Sequence, residues 1–395
     1  MASTSAVVRR TLGQGASSSD DIVGDDDKNT LRLAFLGCEV LPPYGPYLHT
    51  AELFADLIAA AYSAAQATSA SWSSSSSSDD ECDPPPERRR QQQRQQRRCL
   101  TRLVLEVFGV SQPTTTADIA EDDTNSGGLS LPSLKRFPSD RDLDRFDGVI
   151  LPGSFSSAYD TTLPWIEGLA GWIQDTLVDR AIPTLGVCFG HQLYAHSFSR
   201  RRQQPGGGTA VRCPSGPQAG RKTTTPTVPG RAFLGVARGG AGGKENGGGG
   251  GGLDLLYTHG DMVESLPPSI GVSLGGNDAV PIQAAMYVSS PGAATAAEIE
   301  GAIRRGCGGG GGGGGKTDGP GVIAVTFQAH PEFAVSNKGD GTYRQIVELM
   351  HDRGDVSDED HATALDDADA NRDRVRQQSL DAMVAAGRLL GWFPC

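Results

Sequence analysis

The hydrophobic pattern of the first half of the chain alternates between two kinds of segment. Short apolar runs that end at glycine or a polar turn are typical of buried strands, and the longer segments between them have helical apolar spacing. The predicted strands are residues 31–36, 103–108, 146–151 and 183–187, and the predicted helices are residues 49–62, 164–178 and 189–198. Strands that alternate with helices predict a parallel sheet covered on both faces.

In the second half of the chain, turns rather than helices separate the apolar runs. Residues 253–258, 272–274, 282–288 and 322–327 are predicted strands, and an amphipathic stretch within residues 366–392 predicts a terminal helix against the core. The fold class expected from both halves is a three-layer α/β domain. Its mostly parallel central sheet carries an added antiparallel portion.

Low-complexity segments interrupt this pattern. Runs of Ser, Pro, Arg/Gln and Gly predict inserts at about residues 68–98, 199–206, 241–252 and 306–318 within one domain of residues 31–352. The Arg/Gln run could bind an acidic partner, but a solvated loop is favoured. Residues 1–30 are predicted to be a disordered tail, because an acidic stretch at 20–27 fits a transit peptide poorly. Residues 353–395 are predicted to be an acidic linker followed by a C-terminal helix.

Composition limits the classes of function. A formal charge of −12 disfavours nucleic-acid binding, and no apolar run reaches the 18 residues that a membrane span would need. The seven cysteines form no C-x-x-C pair and no zinc-type cluster, which suits a reducing compartment in which one thiol stays free. We therefore expect a cytosolic protein that handles a small molecule and has neither nucleic-acid nor membrane partners.

The most informative motif follows the predicted strand 183–187. The sequence Gly-Val-Cys-Phe-Gly-His-Gln, from Gly186 to Gln192, places Cys188 between small residues at a strand-to-helix turn. This is the thiol form of the nucleophile elbow, in which a sharp turn raises the side chain above the sheet edge. The helix N-terminus there favours a thiolate. A buried structural cysteine is the alternative, and the elbow favours a nucleophile.

A thiol nucleophile needs a base, and His330 follows the predicted strand 322–327 in the sequence Phe-Gln-Ala-His-Pro-Glu. Because the carboxyl ends of parallel strands lie at one edge of a sheet, His330 is expected at the edge that carries Cys188. Glu332, two residues further on, is positioned to orient the imidazole. The other candidates are weaker: Cys38 has no elbow and is expected to pack, and His191 is too close to Cys188 along one helical turn to face it.

Together, the two motifs resemble the class I (triad) glutamine amidotransferase domain, whose fold is flavodoxin-like. The likeness covers residues 31 to 350 apart from the inserts, and is nearest to the stand-alone, gamma-glutamyl peptidase-like branch. Departures from the family pattern, such as Ala329 in the second motif and the Gly-rich inserts, bear on substrate preference more than on chemistry. The supporting segments are 146–154 (the oxyanion strand and loop), 154–165, 207–211 (a Gly-Gly turn), and 259–263 with 266–267 (a His-x-Asp segment).

The resemblance implies roles for named residues. Cys188 would attack a gamma-glutamyl carbonyl, His330 would carry the proton, and Glu332 would hold His330. No metal or other cofactor is implied. The remaining implied residues are the oxyanion donors Gly153 and Phe189, through their backbone N–H groups, and the substrate-binding residues Gln192 and His259.

Three functions remain open. The first is a stand-alone hydrolase of a gamma-glutamyl amide, either glutamine or a gamma-glutamyl peptide, acting through a thioester. The second is the glutaminase subunit of a two-component amidotransferase that delivers ammonia to a separate synthase. The third is a non-catalytic binding module, which the complete set Cys188, His330 and Glu332 disfavours.

Overall fold

The computed structural model describes residues 6–12, 29–72, 100–111, 137–200, 207–237, 251–289, 303 and 321–394. Within these residues, ten strands form one mixed sheet in the order β1-β3-β2-β4-β5-β12-β11-β10-β7-β8, and β6 pairs with β9 separately. The strands are β1 (Ala6–Thr11), β2 (Thr30–Gly37), β3 (Arg102–Gly109), β4 (Gly148–Leu151), β5 (Thr184–Val187), β6 (Thr209–Arg212), β7 (Gln218–Pro226), β8 (Leu253–His259), β9 (Asp261–Ser265), β10 (Gly271–Gly276), β11 (Ala284–Val288) and β12 (Val322–Phe327).

The centre of the sheet is parallel. Strands β3, β2, β4, β5 and β12 pair in parallel, so their carboxyl ends share one edge. Their apolar runs are buried on both faces, as sheets covered by helices require. Beyond β12, the strands β11, β10, β7 and β8 pair antiparallel. The predicted α/β class with an added antiparallel portion is confirmed.

Helices cover the two faces of the sheet. They are α1 (Tyr47–Trp72), α2 (Asp140–Leu143), α3 (Pro164–Trp172), α4 (Phe189–Ser197), α5 (Val228–Ala237), α6 (Asn337–Asp352), α7 (Asp358–Ala370) and α8 (Arg372–Leu389). A π-helical turn, Ile173–Val178, continues α3. No helix within the described ranges combines the length and the apolar character that crossing a membrane requires.

The first strand corrects the prediction for the N-terminus. Residues 1–30 were predicted to be a disordered tail, yet Ala6–Thr11 forms β1 and Thr30 begins β2. Strand β1 pairs antiparallel with β3, Val8 is buried, and Arg10 forms an ion pair with Asp56 of α1 at 2.9 Å. Pairing of this kind satisfies the backbone groups that an edge strand would otherwise leave open. The apolar run is too short to indicate this pairing from the sequence.

The predicted insert boundaries shift at α1. The helix runs to Trp72 and so includes the start of the insert predicted at 68–98. Residues 59–67, just before this extension, are rich in alanine, the residue with the highest helix propensity, and so favour continuing the helix. The rest of that insert lies outside the described residues. Most of the other three predicted inserts does so too, because residues 201–206, 238–250 and 304–320 are not described.

The C-terminal segment is not a linker followed by one helix. The acidic stretch forms α7, where Ser357 caps the N-terminus by accepting the Asp360 N–H at 3.1 Å. Acidic residues in that first turn also favour the helix dipole. The predicted terminal helix is confirmed as α8, whose Leu380 and Met383 lie in the core.

Candidate active site

Cys188 lies between β5 and α4 in a strained backbone conformation. Its φ of 50° and ψ of −105° fall in a region that non-glycine residues rarely occupy. The glycines on either side allow this turn to form. A Cβ on Gly190 would lie 2.1 Å from the Leu151 carbonyl oxygen, and one on Gly186 would lie 2.9 Å from the Gly190 carbonyl oxygen. The turn has the geometry of a nucleophile elbow, and strain of this kind is concentrated at functional sites.

Neighbouring parallel strands bring Cys188 and His330 to the same sheet edge. Val187 at the end of β5 is in register with Phe327 at the end of β12, and the Cys188 N–H donates to the Phe327 carbonyl at 2.8 Å. Three residues beyond Phe327, the His330 N–H donates to the Leu256 carbonyl of β8 at 2.8 Å. The expectation that both side chains lie at the carboxyl edge is confirmed.

Glu332 orients the imidazole of His330. The Nδ1 atom of His330 lies 2.8 Å from Oε1 of Glu332, and both side chains are fully buried. The His330 ring stacks on Phe333, with ring centroids 4.4 Å apart and planes 9° apart. A short 3-10 turn, Pro331–Phe333, holds the two partners in this arrangement. The ring is therefore fixed both by a charge-assisted hydrogen bond and by packing.

The charges near His330 favour its protonated form. Burial lowers the pKa of His330, but the Glu332 carboxylate and Cys188 outweigh burial and raise the pKa to about 10. At neutral pH the imidazole is therefore an imidazolium with a proton to donate. An imidazolium beside a cysteine is the arrangement that stabilises a thiolate in cysteine enzymes.

The two predicted oxyanion residues adjoin this pair, Gly153 beside His330 and Phe189 directly after Cys188. Gly153 follows β4, and a Cβ there would lie 3.0 Å from Cε1 of His330. Phe189 is the first residue of α4, directly after Cys188, where the helix N–H groups have no partner within the helix. The loop after β4 is held by Glu39, whose Oε2 accepts from Ser154 Oγ and from the Phe155 N–H, each at 3.2 Å.

Gln192 and His259, the predicted substrate-binding residues, lie in one polar cluster. The Gln192 side-chain amide donates to the Asp261 carbonyl at 2.9 Å and to Oε1 of Gln328 at 3.2 Å. The Nδ1 atom of His259 lies 2.8 Å from the same Asp261 carbonyl. Burial, opposed by this hydrogen bond, lowers the pKa of His259 to about 3, so its ring is neutral. Its buried Nε2 has no hydrogen-bond partner among the described residues and is left as an acceptor.

Tyr44 also belongs to the site and was not predicted from the sequence. Its hydroxyl lies 3.1 Å from Nε2 of His330 and 3.5 Å from Oγ1 of Thr258. Its ring packs edge-on against Phe155 with centroids 4.9 Å apart. The sequence offered one signal for Tyr44. It follows β2, a strand of the parallel centre, and residues that follow such a strand lie at the carboxyl edge of the sheet.

The other two candidates, Cys38 and His191, make hydrogen bonds to groups other than the Cys188 side chain. Cys38 is buried and its thiol donates to the Leu36 carbonyl at 3.2 Å, and burial raises its pKa above the ordinary value for a thiol. His191 points away from the nucleophile: its Nδ1 lies 2.7 Å from Oγ1 of Thr326 and its Nε2 lies 3.2 Å from the Ile282 carbonyl. Within the described residues, no cluster of His, Cys, Asp and Glu side chains is arranged to hold a metal ion.

A comparison of this sequence with models of known protein families gives a match, which agrees with the fold and the site. Residues 129–280, a range that includes the elbow, match the family model described as Glutamine amidotransferase class-I. Residues 129–280 are thus similar to the class I glutamine amidotransferase family, the family that the motifs resemble.

The curated relatives are similar to a shorter part of the chain. Gamma-glutamyl peptidase 5 of Arabidopsis thaliana is 42% identical over 57 residues, which are 14% of this chain and 22% of the relative. Gamma-glutamyl peptidase 4 of the same plant is 35% identical over 82 residues, 21% of this chain and 29% of the relative. The matches thus span less than a third of either relative.

Solved structures of low identity are also similar to this chain. The match to a glutamine amidotransferase from Methylobacillus flagellatus covers 92% of this chain and 95% of that protein at 15% identity, with a TM-score of 0.44. The match to a glutamine amidotransferase from Thermotoga maritima covers 72% of this chain and 86% of that protein at 14% identity, with a TM-score of 0.43.

Proposed function

We propose that this chain hydrolyses a gamma-glutamyl amide bond, in glutamine or a gamma-glutamyl peptide, through a thioester on Cys188. The observation that carries the proposal is the strained elbow at Cys188, next to a fully buried His330–Glu332 pair at the same sheet edge. The family match and the names of the two curated relatives support amide hydrolysis at a gamma-glutamyl carbonyl.

The reaction needs two proton transfers through His330. In the first half, the sulfur of Cys188 attacks the gamma-carbonyl, His330 donates its proton to the leaving nitrogen, and the C–N bond breaks to leave a thioester. In the second half, water attacks the thioester, His330 takes a proton from that water, and the C–S bond breaks, so that glutamate leaves and the Cys188 thiolate is restored beside the protonated His330. The high pKa of His330 suits the first transfer, because the proton is on the ring at neutral pH.

The remaining predicted residues would bind the substrate. The backbone N–H groups of Gly153 and Phe189 would donate to the oxyanion, where each such donor contributes about 10²–10³-fold in rate. Gln192 would position the glutamyl portion. His259 presents a neutral, buried Nε2 acceptor, which suits an N–H group of the substrate.

No metal or nucleotide takes part in these steps, so we propose that the isolated chain needs neither ATP nor a partner protein. The alternative remains a glutaminase subunit that is nearly silent until its synthase is present.

A reducing compartment such as the cytosol would keep the thiol reduced, and Cys38, Cys188 and Cys213 are free cysteines in the structure.

The test is release of glutamate by the purified chain from glutamine and from a gamma-glutamyl dipeptide, without ATP or metal. We expect turnover with at least one substrate, and its loss in Cys188→Ser, because serine has no thiolate. Cys38→Ser is the matched control, since Cys38 is equally buried but outside the site, and it should remain active. Peptide mapping should find a glutamine-mimicking electrophile on Cys188.

Two results would contradict the proposal. Full activity of Cys188→Ser, or labelling at another cysteine, would exclude Cys188 as the nucleophile. Turnover that appears only when a synthase is added would favour the subunit, and no turnover under either condition would favour a binding module.

A further inference from the structure

The mechanism above uses one nitrogen of His330 for orientation and the other for proton transfer. Glu332 fixes Nδ1 at 2.8 Å, while the Tyr44 hydroxyl lies 3.1 Å from Nε2, the reactive nitrogen. Nothing in the family motifs of this sequence points to Tyr44. The distance between its hydroxyl oxygen and Nε2 nevertheless falls within about 2.6–3.2 Å, the range over which a catalytic base forms a hydrogen bond.

The loop between β2 and α1 holds Tyr44 firmly in this place. The Gly45 N–H donates to the Leu41 carbonyl at 2.6 Å, and a Cβ on Gly45 would lie 1.8 Å from the Val40 carbonyl oxygen, so the turn requires glycine. The Thr50 hydroxyl donates to the Tyr44 carbonyl from the first turn of α1. Only 2% of Tyr44 is exposed, so its hydroxyl has little freedom to leave the imidazole.

The same loop is tied to the proposed oxyanion residue. Oε1 of Glu39 accepts the Val40 N–H at 2.9 Å, while its Oε2 accepts from Ser154 next to Gly153. A Cβ on Gly153 would lie 3.3 Å from Cε1 of Tyr44. The Tyr44 side chain therefore lies beside both the oxyanion loop and the base.

We propose that Tyr44 is a positioning residue for the imidazole of His330, holding its Nε2 edge in line for the leaving nitrogen while Glu332 holds the opposite edge. This inference rests on the proposed function. Burial and the proximity of Cys188 raise the pKa of Tyr44 well above its ordinary value, so the phenol keeps its proton. The protonated Nε2 of His330 can then donate to the phenol oxygen, which stabilises the imidazolium.

The first test is Tyr44→Phe, which keeps the ring and its packing on Phe155 but removes the hydroxyl. We expect kcat to fall about tenfold, the effect of losing one hydrogen bond to a charged group, with KM nearly unchanged. The alkaline limb of the activity profile should move to lower pH, because an imidazolium with one acceptor fewer loses its proton more readily. Tyr343→Phe is the matched control: Tyr343 is buried and donates to the Ala364 carbonyl at 3.1 Å, away from His330, and should change neither quantity.

The second test needs no turnover and so separates this inference from the proposed function. In protein with labelled histidine and Cys188→Ser, the NMR titration of His330, assigned with His330→Gln, should move to lower pH when Tyr44→Phe is added. The titratable groups that face His330 or Tyr44 and must be considered in the fit are Glu332, Cys188, Tyr44, His259 and Glu39.

The outcomes decide whether Tyr44 positions His330, has no effect on it, or competes with Cys188 for Nε2. A lower kcat together with the shifted titration supports positioning. An unchanged titration overturns the inference, whether or not the wild-type chain hydrolyses a gamma-glutamyl substrate. A higher kcat in Tyr44→Phe would also overturn it, because the hydroxyl would then be competing with Cys188 for Nε2.

Discussion

At Cys188, the backbone adopts a conformation that a residue with a side chain normally avoids. The positive φ of 50° costs on the order of 1–3 kcal/mol, which the surrounding packing must offset. Cys188 and His330 are both buried, and electrostatic interactions are stronger in such a medium of low polarity than in water. The reactivity we propose is therefore a property of a few contacts rather than of the cysteine itself.

The His330–Glu332 pair makes a prediction at this scale. Glu332→Gln removes the carboxylate that raises the pKa of His330 above its ordinary value of about 6.5, so the imidazolium loses its proton at lower pH. We expect the alkaline limb of hydrolysis to move to lower pH and the rate to fall less than in His330→Ala. The His330→Ala variant should lose roughly 10²–10⁴-fold, because it removes proton transfer altogether.

A matched control for this prediction lies on the surface. Glu348 also pairs with a histidine, His361, at 2.8 Å, but the pair is outside the site and Glu348 is largely exposed. Glu348→Gln should leave the pH profile unchanged. A Glu332→Gln profile that overlays the wild type would show that Glu332 does not control protonation of the base.

At the scale of elements, the elbow depends on how closely α4 approaches β4. The Gly190 N–H donates to the Pro152 carbonyl at 3.1 Å, and the Leu151 carbonyl occupies the space where a Cβ would be. The glycine therefore sets the distance between helix and strand, and with it the position of Cys188.

Gly190→Ala should consequently destabilise the protein by about 1–3 kcal/mol, as overpacking in a core does, and lower activity as the elbow shifts. Thermal melting measures the first effect and glutamate release the second. Gly168→Ala in α3 is the matched control, because no atom beyond the neighbouring helix backbone lies within 4 Å of its Cβ position. That variant should be as stable as the wild type or slightly more stable, since alanine favours a helix. Equal melting temperatures for the two variants would contradict the close-approach argument.

At the scale of the whole molecule, the C-terminal helix α8 completes the core. Leu380 and Met383 pack in the main cluster, and buried Arg388 donates to the Val236 carbonyl of α5 at 2.6 Å. Trp392 donates to the Asp147 carbonyl at 3.1 Å and so joins the end of the chain to the start of β4. The last described residues are thus part of the domain rather than an appendage.

This arrangement predicts opposite results for two deletions of similar length. Replacing residues 74–98 by a short Gly/Ser linker should change the free energy of unfolding little, because loop closure costs only about 0.6 kcal/mol per doubling of length. Truncation after Asn371 should leave no cooperatively folded protein, since it removes α8 from the core. Circular dichroism melts of both variants provide the measurement. A large loss of stability in the linker variant would show that the insert packs against the domain.

The sequence by itself determined the parallel centre of the fold and the residues proposed for the chemistry. Buried parallel strands are continuous apolar runs, and the elbow and the His330 motif are local patterns whose meaning does not depend on distant contacts. The prediction that His330 joins Cys188 also needed no coordinates, because parallel strands share their carboxyl edge.

Only the tertiary structure decided which polar and weakly patterned segments complete the molecule. Strand β1 gains its stability from the backbone of β3, and α7 adds contacts with β7 and α6 to its local cap, so neither is marked by a strong apolar periodicity. Tyr44 is separated from His330 by 286 residues, and its position at Nε2 follows from the loop after β2 packing against β8 and the oxyanion loop. Long-range packing of this kind leaves no periodicity in the sequence, and this is why the partner of the base was found only in three dimensions.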